Sequence, residues 1–286
     1  MLKASTIQLL RFHFSFFLMP VYWFALSQTP TINYGHALLV FCILHLIVYP
    51  ASNGYNSFMD RDTGSIGGIR NPKQPTWELF YTTIVMDVIS VALGFLISYY
   101  FVAGILAYIL ASRAYSYRGI RLKKYPVAGY LTVVIFQGAV TFFLVMHGSS
   151  SNLTTDVPWA AMLASSLLIG GFYPLTQIYQ HQQDRQDGVR SLSSVLGYRG
   201  TFLFTAIIYL LAMMTLGYYL ASTLAFDHFL VLQLFFLPIL AYFLFWFRKV
   251  LINTDAANFS NTMKMNLLAS ICSNTAFITL YILEKF

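Results

Sequence analysis

Long apolar runs alternate with short polar breaks along the whole chain. Nine runs read as membrane-crossing helices, over residues 10–28, 35–58, 79–100, 102–114, 127–147, 158–180, 200–222, 228–248 and 262–283. Most approach the roughly 20 residues that a helix needs to cross the hydrocarbon core. The third and fourth run almost unbroken from Phe80 to Arg113, too long for one crossing, so a reversal is expected between Tyr99 and Gly104. The short alternating segments of barrel strands are absent. Two polar, acidic segments interrupt the apolar pattern, Asn53–Asp62 and Gln180–Leu192, and they close the second and sixth runs. This weak duplication predicts an all-α, multi-pass transmembrane bundle of nine helices: two four-helix halves plus one, around a central cavity open at the cytoplasmic side. Residues 1–286 are expected to form a single integral membrane domain.

Composition supports a membrane protein. The chain is 58% hydrophobic and only 9% charged, against about 25% charged for a soluble domain. Its net charge of +7 is no signal for nucleic acid. With nine crossings, one side collects Lys3, Arg11, Arg61, Arg70, Lys73, Arg113, Arg118, Arg121, Lys123, Lys124, Arg185, Arg190, Arg199, Arg248, Lys249 and Lys264, and only Lys285 falls on the other. The positive-inside rule makes the first side cytoplasmic, with the N-terminus and both acidic segments on it. A bacterial inner membrane is the expected location. His13 and Pro20 interrupt the first run, which reads as a retained helix rather than a cleaved signal. Cys42 and Cys272 fall inside spans and read as small apolar fillers.

The acidic segments carry the chemistry. They hold Asp60, Asp62, Asp184 and Asp187, four of only ten acidic residues, and carboxylates near a bilayer are costly enough to mark function. Asn53, Asn56 and Asp60 recur at i, i+3, i+7 and share a helix face, with His45 and Tyr49 extending it; Gln180, Asp184 and Asp187 recur at i, i+4, i+7. Two like charges 4 Å apart cost about 4 kcal/mol at an effective dielectric near 20. Two such faces turned together therefore call for a hard divalent cation. Oxygen ligands suit Mg²⁺, which takes one or two carboxylates and completes its shell with water and substrate phosphates. Arg70, Lys73, Arg118, Arg121, Lys123, Lys124 and Arg190 crowd the same face. Carboxylates, cations and an apolar bundle together suit a metal-bridged phosphate ester of a lipid. Asp87, inside the third span, has no evident partner, and Arg11 reads as a topology charge.

The two segments resemble the paired aspartate-rich motifs of the UbiA superfamily of membrane prenyltransferases, N-D-x-x-D-x-x-x-D and D-x-x-x-D-x-x-x-G followed by a basic-hydroxyl pair. Asn56 and Asp60 stand at the matching positions of the first; Asp184, Gly188, Val189, Arg190, Ser191 and Leu192 match the end of the second. Residues Tyr115 to Pro126 look like the family's basic loop after the fourth helix. Ser57, Gly64 and Gln180 stand where the motifs have aspartates, with Asp62 and Asp187 close by as substitutes. The resemblance implies catalytic roles for Asn56, Asp60 and Asp184. It implies Mg²⁺ as cofactor, held by Asn56, Asp60, Asp62, Gln180, Asp184 and Asp187, and a polyprenyl diphosphate donor whose diphosphate is bound by Asn53, Lys123, Lys124 and Arg190. The acceptor is expected to be a small aromatic or lipid molecule within the membrane. A terpene cyclase on the same scaffold is the alternative. A lipid-binding or transport protein is the third reading, disfavoured because the acids cluster at one surface rather than at the bilayer midplane. Acceptor, chain length and oligomeric state are not written in the pattern.

Overall fold

The computed structural model describes residues 2–285. Its helices in chain order are α1 (Ala4–Leu10), α2 (Met19–Gln28), α3 (Tyr34–Phe41), α4 (Tyr49–Asp60), α5 (Trp77–Gly94), α6 (Tyr99–Ser116), α7 (Pro126–Val134), α8 (Thr141–Ser149), α9 (Trp159–Thr176), α10 (His181–Gln186), α11 (Leu192–Ser222), α12 (Phe226–Ile252) and α13 (Phe259–Lys285). Among the described residues, strand pairing is confined to two isolated bridges, Ile32 with Ser150 and Ile66 with Ile69.

Several elements join into longer spans. α3 and α4 form one helix, Tyr34–Asp60, through a π-helical stretch at Cys42–Val48. Pro50 follows that stretch and supplies no N–H, so the regular hydrogen-bond ladder cannot continue there. α7 and α8 join in the same way through Ile135–Val140.

Among the described residues, seven helices are long and apolar enough to cross a membrane, and eight when the bent first pair counts as one. The expected number was nine. The difference is α6, whose 18 residues include Arg113 and Tyr99, Tyr100, Tyr108 and Tyr115. The first crossing, expected as one helix over 10–28, is broken. Arg11 ends α1 in the left-handed region at φ 50°, residues Phe12–Phe17 tighten into a 3₁₀ turn, and α2 starts afresh at Met19, with Pro20 in its first turn, after a bend of 44°. The reversal between α5 and α6 comes earlier than expected, at Phe95–Ser98 instead of Tyr99–Gly104. Ser98 caps α6 by accepting from the Phe101 N–H at 3.0 Å.

Lipid removes most of the hydrophobic drive between helices, so close fit decides their association. A Cβ on Gly138 would lie 2.4 Å from the Ser166 backbone Cα, so only glycine lets the π turn approach α9. Phe24 stacks on Phe277 with ring centroids 4.8 Å apart, tying α2 to α13 at opposite ends of the chain.

Candidate active site

α4 delivers the first acidic segment. Arg61, at φ 53°, stops the helix and turns the chain away after Asp60. On the α4 face, the Asn56 Nδ2 donates to Ser116 Oγ at 3.0 Å, and the Arg11 Nη2 donates to the Asn53 carbonyl at 3.1 Å. The Asp60 side chain is only 4% exposed. Lys123 donates to its Oδ2, and Arg121 lies 3.6 Å from its Oδ1. That buried Oδ1 accepts no hydrogen bond from the protein. Asp62 Oδ1 accepts from Gln183 Nε2 at 2.6 Å. Burial pushes the Asp62 pKa up to about 6; Asp60 beside it adds to the rise, and Lys123 and Arg11 oppose it.

The second segment arrives through a break. Pro174 lies inside the last turns of α9, and the helix gives way to a 3₁₀ turn at Ile178–Gln180 before α10. Gln180 Nε2 donates to the Ser65 carbonyl at 3.2 Å, tying the loop after α4 over this break. α10 ends at Gly188 with φ 69°, a left-handed C-terminal conformation that glycine adopts without strain. That turn buries Val189 and leaves Arg190 exposed. Asp187 is held by Arg121, with Arg118 Nη1 at 3.4 Å.

One cavity of about 190 Å³ is lined by residues of both segments. From the first come Asn53, Asn56, Asp60 and Asp62; from the second, Gln180, Gln183, Asp184 and Asp187; the loop after α6 adds Lys123. Lys124 and Arg190 do not line it: the Lys124 ammonium sits 4.9 Å from the Tyr125 ring, and Arg190 is turned out by Gly188. His45 and Tyr49 lie outside it too. Inside the bundle His45 Nδ1 pairs with Ser15 Oγ at 2.7 Å and the Tyr49 hydroxyl with Thr141 Oγ1 at 3.2 Å, while the buried His45 Nε2 has no partner among the described residues.

The cavity also recruits residues that pattern reading did not select. Arg11 lines it and is 7% exposed, so it is more than a topology charge. Tyr115, Tyr173 and Tyr179 line it as well, with the Tyr115 and Tyr173 hydroxyls hydrogen-bonded to each other. Tyr173, Gln177, Gln180 and Asp184 recur at steps of four, three and four, a spacing visible in the sequence. Asp87 does have a partner. Arg113 on α6 pairs with it, so this arginine belongs to the bundle and not to a loop.

Behind the cavity lies a mostly apolar chamber of about 170 Å³ that shares Phe14, Gln137, Tyr173 and Thr176 with it. A groove of about 320 Å³ adjoins that chamber at Phe172, Tyr209 and Ile239 and runs between α11 and α12. Leu210, Leu237, Leu240 and Leu244 on the groove are exposed on the bundle's outer surface.

Among the described residues, no three His, Cys, Asp or Glu side chains converge tightly enough to hold a metal ion alone. The donor set nonetheless fits a hard cation. It offers carboxylate and amide oxygens, one of them the orphaned Asp60 Oδ1. Mg²⁺ is commonly bound through one or two carboxylates plus substrate phosphates, so a partial protein shell matches that habit.

The UbiA prenyltransferase family model matches residues 17–268. Comparison with curated proteins finds no match. Among solved structures, a UbiA homolog from Archaeoglobus fulgidus bound to DMAPP and Mg²⁺ superposes with a TM-score of 0.69 at 18% identity, over 96% of this chain and 99% of its own. The same homolog bound to GPP and Mg²⁺ gives 0.65 at 17% identity, over 96% and 100%. The apo UbiA homolog from Aeropyrum pernix K1 gives 0.68 at 18% identity, over 94% and 98%. At such low identity these likenesses speak to the fold, and the family match spans most of the sequence. The chain therefore belongs to the UbiA prenyltransferase family.

Proposed function

We propose that this protein transfers a prenyl group from a polyprenyl diphosphate to an acceptor within the membrane, with Mg²⁺ as cofactor. The observation that carries this reading is the single cavity lined by both acidic helix ends and backed by an apolar chamber. Fold neighbours bound to DMAPP or GPP with Mg²⁺ support the donor class and the metal.

Asn56, Asp60 and Asp184 would hold the metal, with Asp62, Gln180 and Asp187 around them. When bound, Mg²⁺ supplies positive charge to the diphosphate oxygens. Lys123, which lines the cavity and pairs with Asp60 there, would stabilise negative charge on the departing diphosphate, and Arg121 would add to it from beside Asp60. Arg11, which also lines the cavity, would do the same. The allylic C–O bond breaks with its electron pair passing to diphosphate. An electron pair of the acceptor forms the new bond to the allylic carbon, and the acceptor's displaced proton passes to the released diphosphate. Phe14 and Tyr173 stand where cavity meets chamber, and their ring faces favour an allylic cation. The apolar chamber keeps water from that cation. The hydrocarbon tail runs along Phe17, Leu18, Val21 and Phe24 toward the outer groove.

In this reading α6 completes a ninth crossing of a single membrane domain. The one-sided basic residues support a polar mouth that faces the cytoplasm. The test is incubation of purified protein with labelled geranylgeranyl diphosphate, with and without Mg²⁺. The expected result is Mg²⁺-dependent diphosphate release that requires an added phenol or quinol. Release without an acceptor would replace transfer by cyclisation. No release with any donor would overturn the enzymatic reading.

A further inference from the structure

The chamber behind the cavity is short for a long hydrocarbon tail. An apolar cavity of roughly 150 Å³ holds one six-carbon ring. At about 170 Å³ the chamber therefore takes little more than one isoprene unit. A geranyl chain fits, with its first unit at the neck beside Phe14 and Tyr173 and its second in the chamber. The third and fourth units of a geranylgeranyl chain need further room.

Two faces of the bundle border the chamber. The seam between α2 and α13 is shut. Phe24 and Phe277, 0% and 1% exposed, close it with rings stacked 4.8 Å apart, and Asn274 Nδ2 on α13 donates to the Phe16 carbonyl at 3.2 Å. The face between α11 and α12 is open. Its groove of about 320 Å³ has room for about two more isoprene units. None of the residues lining it is Asp, Glu, Lys, Arg or His. Leu210 and Leu237 on its rim are 61% and 56% exposed, so it opens on the surrounding lipid. Phe172, Tyr209 and Ile239 line both chamber and groove and form a collar between them. The buried Tyr209 hydroxyl makes no hydrogen bond, so packing alone holds its ring in that collar.

We propose that the groove between α11 and α12 holds the distal isoprene units of donors longer than geranyl, and that the chain reaches it through the collar of Phe172, Tyr209 and Ile239. The tail thus leaves the bundle between α11 and α12 and not between α2 and α13. This assignment rests on the donor reading above.

The test follows the far end of the chain. Geranylgeranyl diphosphate carrying a diazirine at its distal end is photolysed on the purified full-length protein with Mg²⁺. Label is expected on α11 and α12, within residues 205–213 and 233–244. Lipid tails are as apolar as the groove, so chain length alone changes affinity little, and blocking the groove is the sharper probe. Ala206 and Leu240 line the groove from facing helices and are exposed, so larger side chains there spare the fold. Ala206→Phe and Leu240→Trp are each expected to weaken Mg²⁺-dependent binding of geranylgeranyl diphosphate about tenfold, a usual cost of forcing bulk into occupied space, and to leave geranyl diphosphate unchanged. Label on α2 or α13, or on detergent alone, would overturn the proposal. So would unchanged geranylgeranyl affinity in both variants, or equal losses for the two donors. A wild-type protein that binds neither diphosphate would overturn the donor reading together with it.

Discussion

Alanine at Asp60 or at Asp184 is expected to abolish prenyl transfer. Each carboxylate lines the cavity on a different helix, and each supplies one of the charges that would hold the metal. An interaction between unit charges about 4 Å apart at an effective dielectric near 20 is worth about 4 kcal/mol, or about 10³ in rate when it is made fully in the transition state. Turnover should therefore fall by about 10³ or more in the labelled-donor assay. Asp60→Asn keeps the shape beside Lys123 and Arg121, whose side chains are only 12% and 9% exposed, and it separates lost chemistry from lost folding. Asp187 is different. Arg121 and Arg118 both hold it, so its substitution should loosen the basic loop and cost less turnover than either of the other two. Equal losses at Asp60, Asp184 and Asp187 would count against a distinct pair of metal-holding carboxylates.

The second large effect concerns stability. Asp87 of α5 and Arg113 of α6 pair inside the bundle, with Arg113 Nε donating to Asp87 Oδ2 at 3.0 Å. Their side chains are 15% and 16% exposed. The guanidinium also lies 3.9 Å over the Tyr55 ring, which joins α4 to the pair. Removing one partner leaves an uncompensated buried charge, which typically costs about 3–5 kcal/mol, whereas replacing both with apolar residues is often neutral. Asp87→Leu alone should lower the unfolding midpoint sharply in detergent, and Asp87→Leu with Arg113→Met should restore most of it. A single variant as stable as the double variant would show that the pair is not coupled.

This pair illustrates what sequence could not supply. Asp87 and Arg113 are 26 residues apart on neighbouring helices. Hydropathy locates each helix but not the rotation of one against the next. The reversal at Phe95–Ser98 was misplaced for a related reason. Ser98 is a good cap, but an apolar run from Phe80 to Arg113 hides one serine among hydrophobic neighbours. Helices with polar ends were read unevenly. The helix bearing Asp60 ends close to the expected residue 58, whereas the helix expected over 158–180 already stops at Thr176 and Asp184 sits on the separate α10, because Pro174 breaks the span before the acidic segment begins.

The candidate site was legible where its residues follow helical spacing. Asn53, Asn56, Asp60, Gln180 and Asp184 meet around one cavity. Charge and sequence proximity point to Lys124 and Arg190, but neither property fixes direction. The left-handed turn at Gly188 sends Arg190 outward. Arg11 was passed over because an arginine near the chain's start resembles a topology charge. Only the break after α1 shows that its guanidinium turns inward to the Asn53 carbonyl.

The proposed function requires the two acidic helix ends to hold one metal-bound diphosphate between them. Mn²⁺ can stand in for Mg²⁺ and be read by pulsed electron paramagnetic resonance with geranyl diphosphate present. The wild-type protein should show ³¹P coupling to the bound ion, and Asp60→Asn and Asp184→Asn should each lose both the coupling and most of the Mn²⁺ affinity. Undiminished coupling and affinity in both variants would contradict the account.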